Sequence, residues 1–175
     1  MKQDKILTIV LDGTQPRLVE LENSCEAFCD VIGNGCTMID IVEIDVNGVT
    51  FDAIIDDEGL YNSPEKVTAI WGDADATTTY QTLHGTVILC HCDEEGNQES
   101  INLIPDLTAV YSNLIRITNQ LTGEKNCGVA YNVGQVPPTR EELLKQYPRD
   151  IRQGLSDHRS INPFSVLQAL RLGNP

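Results

Sequence analysis

The side chains best able to do chemistry fall into two groups, thiols and carboxylates. Six cysteines are present: Cys25, Cys29, Cys36, Cys90, Cys92 and Cys127. Cys25 and Cys29 are four residues apart, which places both on one face of a helix. Cys90 and Cys92 share one face of a strand, with His91 on the other. If that helix packs on that strand, Cys25, Cys29, Cys90 and Cys92 approach the tetrahedral thiolate set that zinc takes. No Cys-x-x-Cys pair occurs, and the ordinary alternative is that these thiols pack as small apolar side chains. The sequence implies no cofactor.

The carboxylates are clustered. Asp52, Asp56, Asp57 and Glu58 form one group, Asp73 and Asp75 a second, and Asp93, Glu94 and Glu95 a third. An oxygen-ligand site for magnesium or calcium needs several such groups to converge, and the EF-hand order of ligands and glycine is absent. Residues 1–100 hold twenty Asp and Glu against four Lys and Arg, a formal charge of −16, whereas residues 101–175 come to +2. A one-sided acidic field repels nucleic acid and anionic membrane and attracts cationic partners. Asp52, Asp56, Asp57, Glu58, Asp93, Glu94 and Glu95 are therefore the candidate contacts for a basic protein.

Other chemistries find less support. His84, His91 and His158 are the histidines, and no Gly-x-Ser-x-Gly elbow accompanies them. Neither a Gly-x-x-x-x-Gly-Lys-Ser/Thr loop nor a Gly-x-Gly-x-x-Gly turn is present. The opening apolar run, Ile6 to Leu11, is too short to span a membrane. A cytoplasmic protein with reduced thiols is the expectation.

Strands, short helices and turns must position these groups. Lys5 to Leu11 is a strand, turned by Asp12-Gly13-Thr14-Gln15-Pro16 into a second strand, Arg17 to Leu21. Asn23 caps a helix that carries Cys25, Phe28, Cys29 and Ile32 and stops at Gly33. Met38 to Val46 and Val49 to Ile55 flank Asn47-Gly48, the strongest short hairpin signal, because both turn residues must accept positive φ. Ser63 with Pro64 opens a short helix, and Asp73 to Thr79 is a loop. Leu83 to Cys92 is a strand, turned by Asp93-Glu94-Glu95-Gly96 into Asn97 to Ile104. Leu107, Val110, Tyr111, Leu114, Ile115 and Ile117 recur at helical spacing and predict a helix over 106–121. Cys127 to Val133 is a short strand. Thr139 to Tyr147 and the stretch carrying Phe164, Leu167 and Leu170 predict two further helices.

The turns and strands of this order resemble an uncharacterised bacterial and phage family, domain of unknown function 3846, over roughly residues 5–104. The residues that carry the resemblance are the opening strand and its Gly/Pro turn, the helix ending at Gly33, and Asp56-Asp57-Glu58-Gly59-Leu60 with Ser63-Pro64 after it. Gly85-Thr86-Val87-Ile88 leading to Asp93-Glu94-Glu95-Gly96 completes the set. The resemblance implies a setting on phages or conjugative elements and supplies no catalytic residues.

The expected architecture is α+β: a mainly antiparallel sheet with two hairpins and short helices over residues 1–104, then a helical C-terminal extension over 105–175 that packs on it or on a partner. The expected function is a phage or mobile-element accessory protein that binds a basic protein, as an inhibitor or as a mimic of DNA charge. Neither nucleic acid nor membrane is an expected partner, and the C-terminal arm is a candidate for self-association. The alternative is a small-ligand or metal-binding protein, an enzyme included, that uses the thiols or an acidic cluster.

Overall fold

The structure is a computed structural model that describes residues 4–72, 82–119, 122–133 and 167–171. Strands β1 (Lys5–Leu11) and β2 (Arg17–Glu22) form an antiparallel pair. Helix α1 (Cys25–Ile32) comes after them. Its cap is Ser24, whose hydroxyl accepts the Ala27 N–H at 3.2 Å. The expected cap, Asn23, is buried instead and donates its side-chain amide to the Gln98 carbonyl at 2.9 Å. Gly33 ends the helix at φ 68° and donates its N–H to the Cys29 carbonyl.

Strands β3 (Ile39–Val46) and β4 (Val49–Asp56) form the expected hairpin. Asn47 and Gly48 take φ values of 53° and 83°, as a two-residue turn between twisted strands requires. Helix α2 (Gly59–Asn62) comes next. It lies before Ser63 rather than after it, and Ser63 closes its C-terminal end. The chain beyond Ser63 and Pro64 enters strand β5 (Val67–Trp71), where a helix was expected. The expected loop at 73–79 lies outside the described residues.

Gly85 divides the expected strand over 83–92 in two, β6 (Thr82–His84) and β7 (Val87–Cys92). Its φ of +79° is a bend that a side chain resists, so the chain turns there and joins a different sheet. The second hairpin forms, but its return strand β8 is only Gln98–Glu99. Helix α3 (Leu103–Ser112) leads to strands β9 (Leu114–Asn119), β10 (Lys125–Tyr131) and β11 (Leu167–Arg171).

Two sheets result. One runs β2-β1-β7-β4-β3, with β8 alongside β7; the other runs β11-β9-β10-β5-β6. Among the described residues the β10–β5 pair is parallel and every other pair is antiparallel. Their inner faces share one core, in which Ile9, Ile44, Phe51, Val87 and Leu89 meet Ala69, Leu83, Val129 and Tyr131, with Val110 of α3. On the outer face of the first sheet, Phe28 and Ile32 of α1 cover Ile6, Val10, Ile54, Ile88 and Cys90. Burying each of those two helix side chains contributes about 2 kcal/mol.

The fold is thus mainly β, and the expectation of an α+β protein with a helical C-terminal extension is corrected. The predicted helix over 106–121 ends at Ser112, with Asn113 as its cap. Beyond it Ile115 and Ile117 are buried while Arg116 is exposed, a period of two that a β-branched strand satisfies and a helix does not. Pro105 lies inside α3 because the first turn of a helix has no use for its N–H. Leu167–Arg171, expected in a helix, pairs with β9 as a strand. The expected helix over 139–147 lies outside the described residues. The second sheet draws β5 and β6 from before residue 104 and β9, β10 and β11 from after it.

Gly128 marks where this sheet is tightest. A Cβ there would sit 2.7 Å from the Thr68 carbonyl oxygen and 2.6 Å from Ile117 Cδ1. The carbonyl belongs to a paired strand and cannot withdraw. Gly128→Ala is therefore expected to lower stability by about 2 kcal/mol, read as a fall in the urea midpoint with an unchanged slope; an unchanged midpoint would contradict this packing.

Candidate functional site

The four thiols of the candidate set, Cys25, Cys29, Cys90 and Cys92, are divided between α1 and β7. Cys90 is fully buried beneath α1, and burial, then Asp52 and Cys92, push its thiol up to about 12. Cys92 lies on the same face two residues on and is exposed, while Cys25 is exposed on α1. Cys29 has another partner, Cys36, whose Sγ lies 3.3 Å from its own. Among the described residues no group of three or more His, Cys, Asp or Glu side chains is arranged to hold a metal ion.

Local backbone geometry explains the Cys29–Cys36 contact. Gly33, Asn34 and Gly35 take φ values of 68°, 51° and 80°, three left-handed residues in succession. They fold the chain back so that Cys36 N–H reaches the Gly33 carbonyl at 3.0 Å and its thiol lies over the last turn of α1. The sequence carried this signal in Gly33-Asn34-Gly35, which reads as a helix stop without showing where the chain goes next. Burial, the bond to Cys29 and the charge of Asp56 push the Cys36 thiol up to about 12.

The candidate carboxylates separate into two turns. Asp52 lies opposite Cys90 in the β4–β7 ladder. Continuing that register puts Asp56 at one end and the Asp93-Glu94-Glu95 turn at the other, about 23 Å apart at 3.3 Å per residue. One surface cannot easily use both. The members also differ in availability. Asp56 is buried, and its carboxylate accepts the Glu58 N–H at 3.0 Å and the Asn62 amide at 2.7 Å. Asp93 accepts the Asn97 side chain and the Asn97 and Glu95 N–H groups, which holds it below the usual carboxylate range. Asp52 accepts from the Gln98 amide at 3.3 Å. Asp57, Glu58, Glu94 and Glu95 are the exposed members.

The Asp56 end of the sheet is the more elaborate. Asp57 N–H bonds the Met38 carbonyl at 3.0 Å, and Asn34 donates its side-chain amide to Ser63 Oγ at 2.9 Å. These bonds join the loop after α1, the start of β3, the acidic turn and α2 into one corner. Met38 is 63% exposed there, Tyr61 69% and Ile41 42%. Asp57 and Glu58 are exposed beside Met38 and Tyr61, while Asp40 and Ile41, adjacent on β3, are exposed on opposite faces of the sheet. Clustered charge in the sequence marked Asp56, Asp57 and Glu58 and missed Asp40 and the apolar residues, because exposure cannot be read from residue type.

The family model described as Domain of unknown function (DUF3846) matches residues 3–115. The chain belongs to this family. The match extends from β1 to the start of β9, so it includes α1, the thiol pair, the acidic corner and α3. Neither a curated protein nor a solved structure matches the chain.

Two histidines within this span have structural partners, and His158 lies outside the described residues. His91 Nε2 lies 2.6 Å from Asp106 Oδ2, and its ring stacks on Phe51 with centroids 5.3 Å apart. Asp106 is 1% exposed and also accepts the Asn102 N–H at 2.6 Å, so one carboxylate ties α3 to β7. Asp106→Ala leaves both donors without that acceptor and is expected to lower stability by about 2–3 kcal/mol. Chemical denaturation at neutral pH checks this; a loss within about 0.5 kcal/mol, the range of ordinary surface changes, would show that the tie holds nothing.

His84 is 5% exposed, with its Nε2 2.8 Å from Thr82 Oγ1. Burial outweighs the nearby Ser63 and Pro64 backbone and holds its pKa below the ordinary 6.5. The unfolded chain then binds the proton more readily than the folded one. The His84 contribution is fully present above about 6.5 and is lost as pH falls toward the depressed folded value. Denaturation midpoints measured from pH 7.5 downward are expected to fall less steeply in His84→Gln than in the parent; parallel slopes would exclude His84 as the source.

Proposed function

We propose that the chain acts by binding a basic protein through the corner built from residues 34–41 and 56–65. The observation that carries this reading is the exposure of Met38 and Tyr61 beside Asp57 and Glu58, which backbone hydrogen bonds hold together. Interfaces are built this way, with a few large apolar or aromatic anchors inside a charged rim. The −16 charge of residues 1–100 adds long-range attraction for a cationic surface and repels nucleic acid itself. A phage or conjugative element, the setting that the family resemblance implies, would bring such a protein to nucleic-acid-binding proteins in the host cytoplasm. Carboxylates on the corner would occupy a groove made for phosphates, and the protein would inhibit by occupancy.

The two acidic turns differ in weight. Asp57 and Glu58 flank the apolar anchors, whereas Glu94 and Glu95 lie at the other end of the sheet. Tagged full-length protein incubated with bacterial host lysate is expected to retain a basic protein at low salt and release it near 1 M salt, where the Debye length is about 3 Å. The double substitution Asp57→Lys, Glu58→Lys is expected to weaken retention at least about tenfold, or ~1.4 kcal/mol. The matched change Glu94→Lys, Glu95→Lys leaves it intact. Retention indifferent to salt, equal loss in both variants, or no salt-sensitive partner at all would overturn the proposal.

A further inference from the structure

We infer that Cys29 and Cys36 are a modification site, a dithiol that a peroxide converts to an intramolecular disulfide and a thiol reductant reopens. The inference is independent of the partner reading above and rests on geometry. The two Sγ atoms are 3.3 Å apart. A disulfide is about 2.05 Å long, so they need to close by about 1.2 Å. The succession of left-handed residues at Gly33, Asn34 and Gly35 brings Cys36 back over α1 and holds the pair together before any oxidant arrives. Both residues are partly exposed, so a small peroxide can reach them.

The other thiols lack this arrangement. Cys90 is buried, Cys25 and Cys92 are exposed on different elements, and Cys127 lies on β10 in the other sheet. The Cys36 thiol sets the order of events. Burial pushes it up to about 12, which disfavours its thiolate, so Cys29 attacks first and Cys36 resolves. Cys29 thiolate attacks one oxygen of hydrogen peroxide. The O–O bond breaks, one water leaves after protonation, and Cys29 becomes a sulfenic acid. Cys36 sulfur then attacks Cys29 sulfur. The S–O bond breaks, and the Cys36 proton departs with the second water. Two thiols have lost two electrons, and the peroxide has gained them.

The bond would fix the loop over residues 33–36 to α1 and leave both sheets untouched. The experiment treats the full chain with hydrogen peroxide, blocks remaining thiols with an alkylating agent, and maps peptides without reduction. A peptide pair linking Cys29 to Cys36, lost on treatment with a dithiol reductant, is the expected dominant product. In Cys36→Ser, Cys29 sulfenic acid should accumulate and be trapped by a dimedone-type probe, while Cys25→Ser should give the parental link. Because the unsubstituted chain carries the decisive mapping, a folding defect in a variant does not affect the outcome. Cys29 and Cys36 alkylated as extensively as Cys25 after peroxide, or linked mainly to other cysteines or between chains, would overturn the inference.

Discussion

From Leu83 to Cys90 the chain is buried without a break, and that requirement organises both sheets. A buried backbone must find partners for its N–H and C=O groups. Here the first residues of the run find them in β5, and the later ones find them in β1 and β4. The joint between is Gly85, whose N–H bonds the Lys66 carbonyl at 2.8 Å and whose carbonyl accepts the Thr68 hydroxyl at 2.7 Å. Packing at this joint reaches the acidic corner directly. A side chain on Gly59 would lie 2.7 Å from the His84 carbonyl oxygen, and one on Gly85 would touch Ser63 at 3.4 Å. The surface that carries Tyr61 and Glu58 is thus seated on the place where the chain changes sheets.

Electrostatics explains little of the stability and more of the surface. The Lys5–Glu20 bridge is more than half exposed at both ends, and such pairs contribute about 0–1 kcal/mol. Glu43 faces Asp52 directly across the β3–β4 pair, an arrangement of like charges that disfavours the sheet. Asp12, Asp45, Asp56, Asp93 and Asp106 are exceptions, since each accepts at least one backbone N–H at a turn or helix start and so holds local structure. A fold held by apolar burial and carrying this surplus of charge is consistent with selection on what the surface meets.

Local signals in the sequence were sufficient wherever the structure is decided locally. Asn47-Gly48 dictated a hairpin, and the alternating residues beside it set which faces are buried. Cys90 and Cys92 do share a face with His91 opposite. What failed were the places decided by pairing at a distance. Val110, Leu114 and Ile117 fit helical spacing, yet Leu114 onward finds β10 and β11 and becomes a strand. Gly85 reads as one weak position inside a strand, although it separates two sheets. The partner of Cys29 depended on the path after Gly33, which three φ angles determine and no periodicity reports.

The exposed edge of β3 limits how a partner could bind. In a two-residue hairpin closed at Val46 and Val49, the N–H and C=O groups of Ile39, Ile41, Glu43 and Asp45 point away from β4. An open edge of this kind invites strand addition. This one is obstructed at two of its four positions. Asp40 takes the Ile41 N–H at 2.8 Å, while Asn132 accepts the Asp45 N–H at 2.8 Å and donates to its carbonyl at 2.6 Å. Glu43 adds a charge to the part left open. Continuous backbone pairing is thereby denied to an incoming strand, which also protects the chain from stacking edge to edge with its own copies. A partner approaching this edge would therefore have to be met by side chains rather than by backbone pairing.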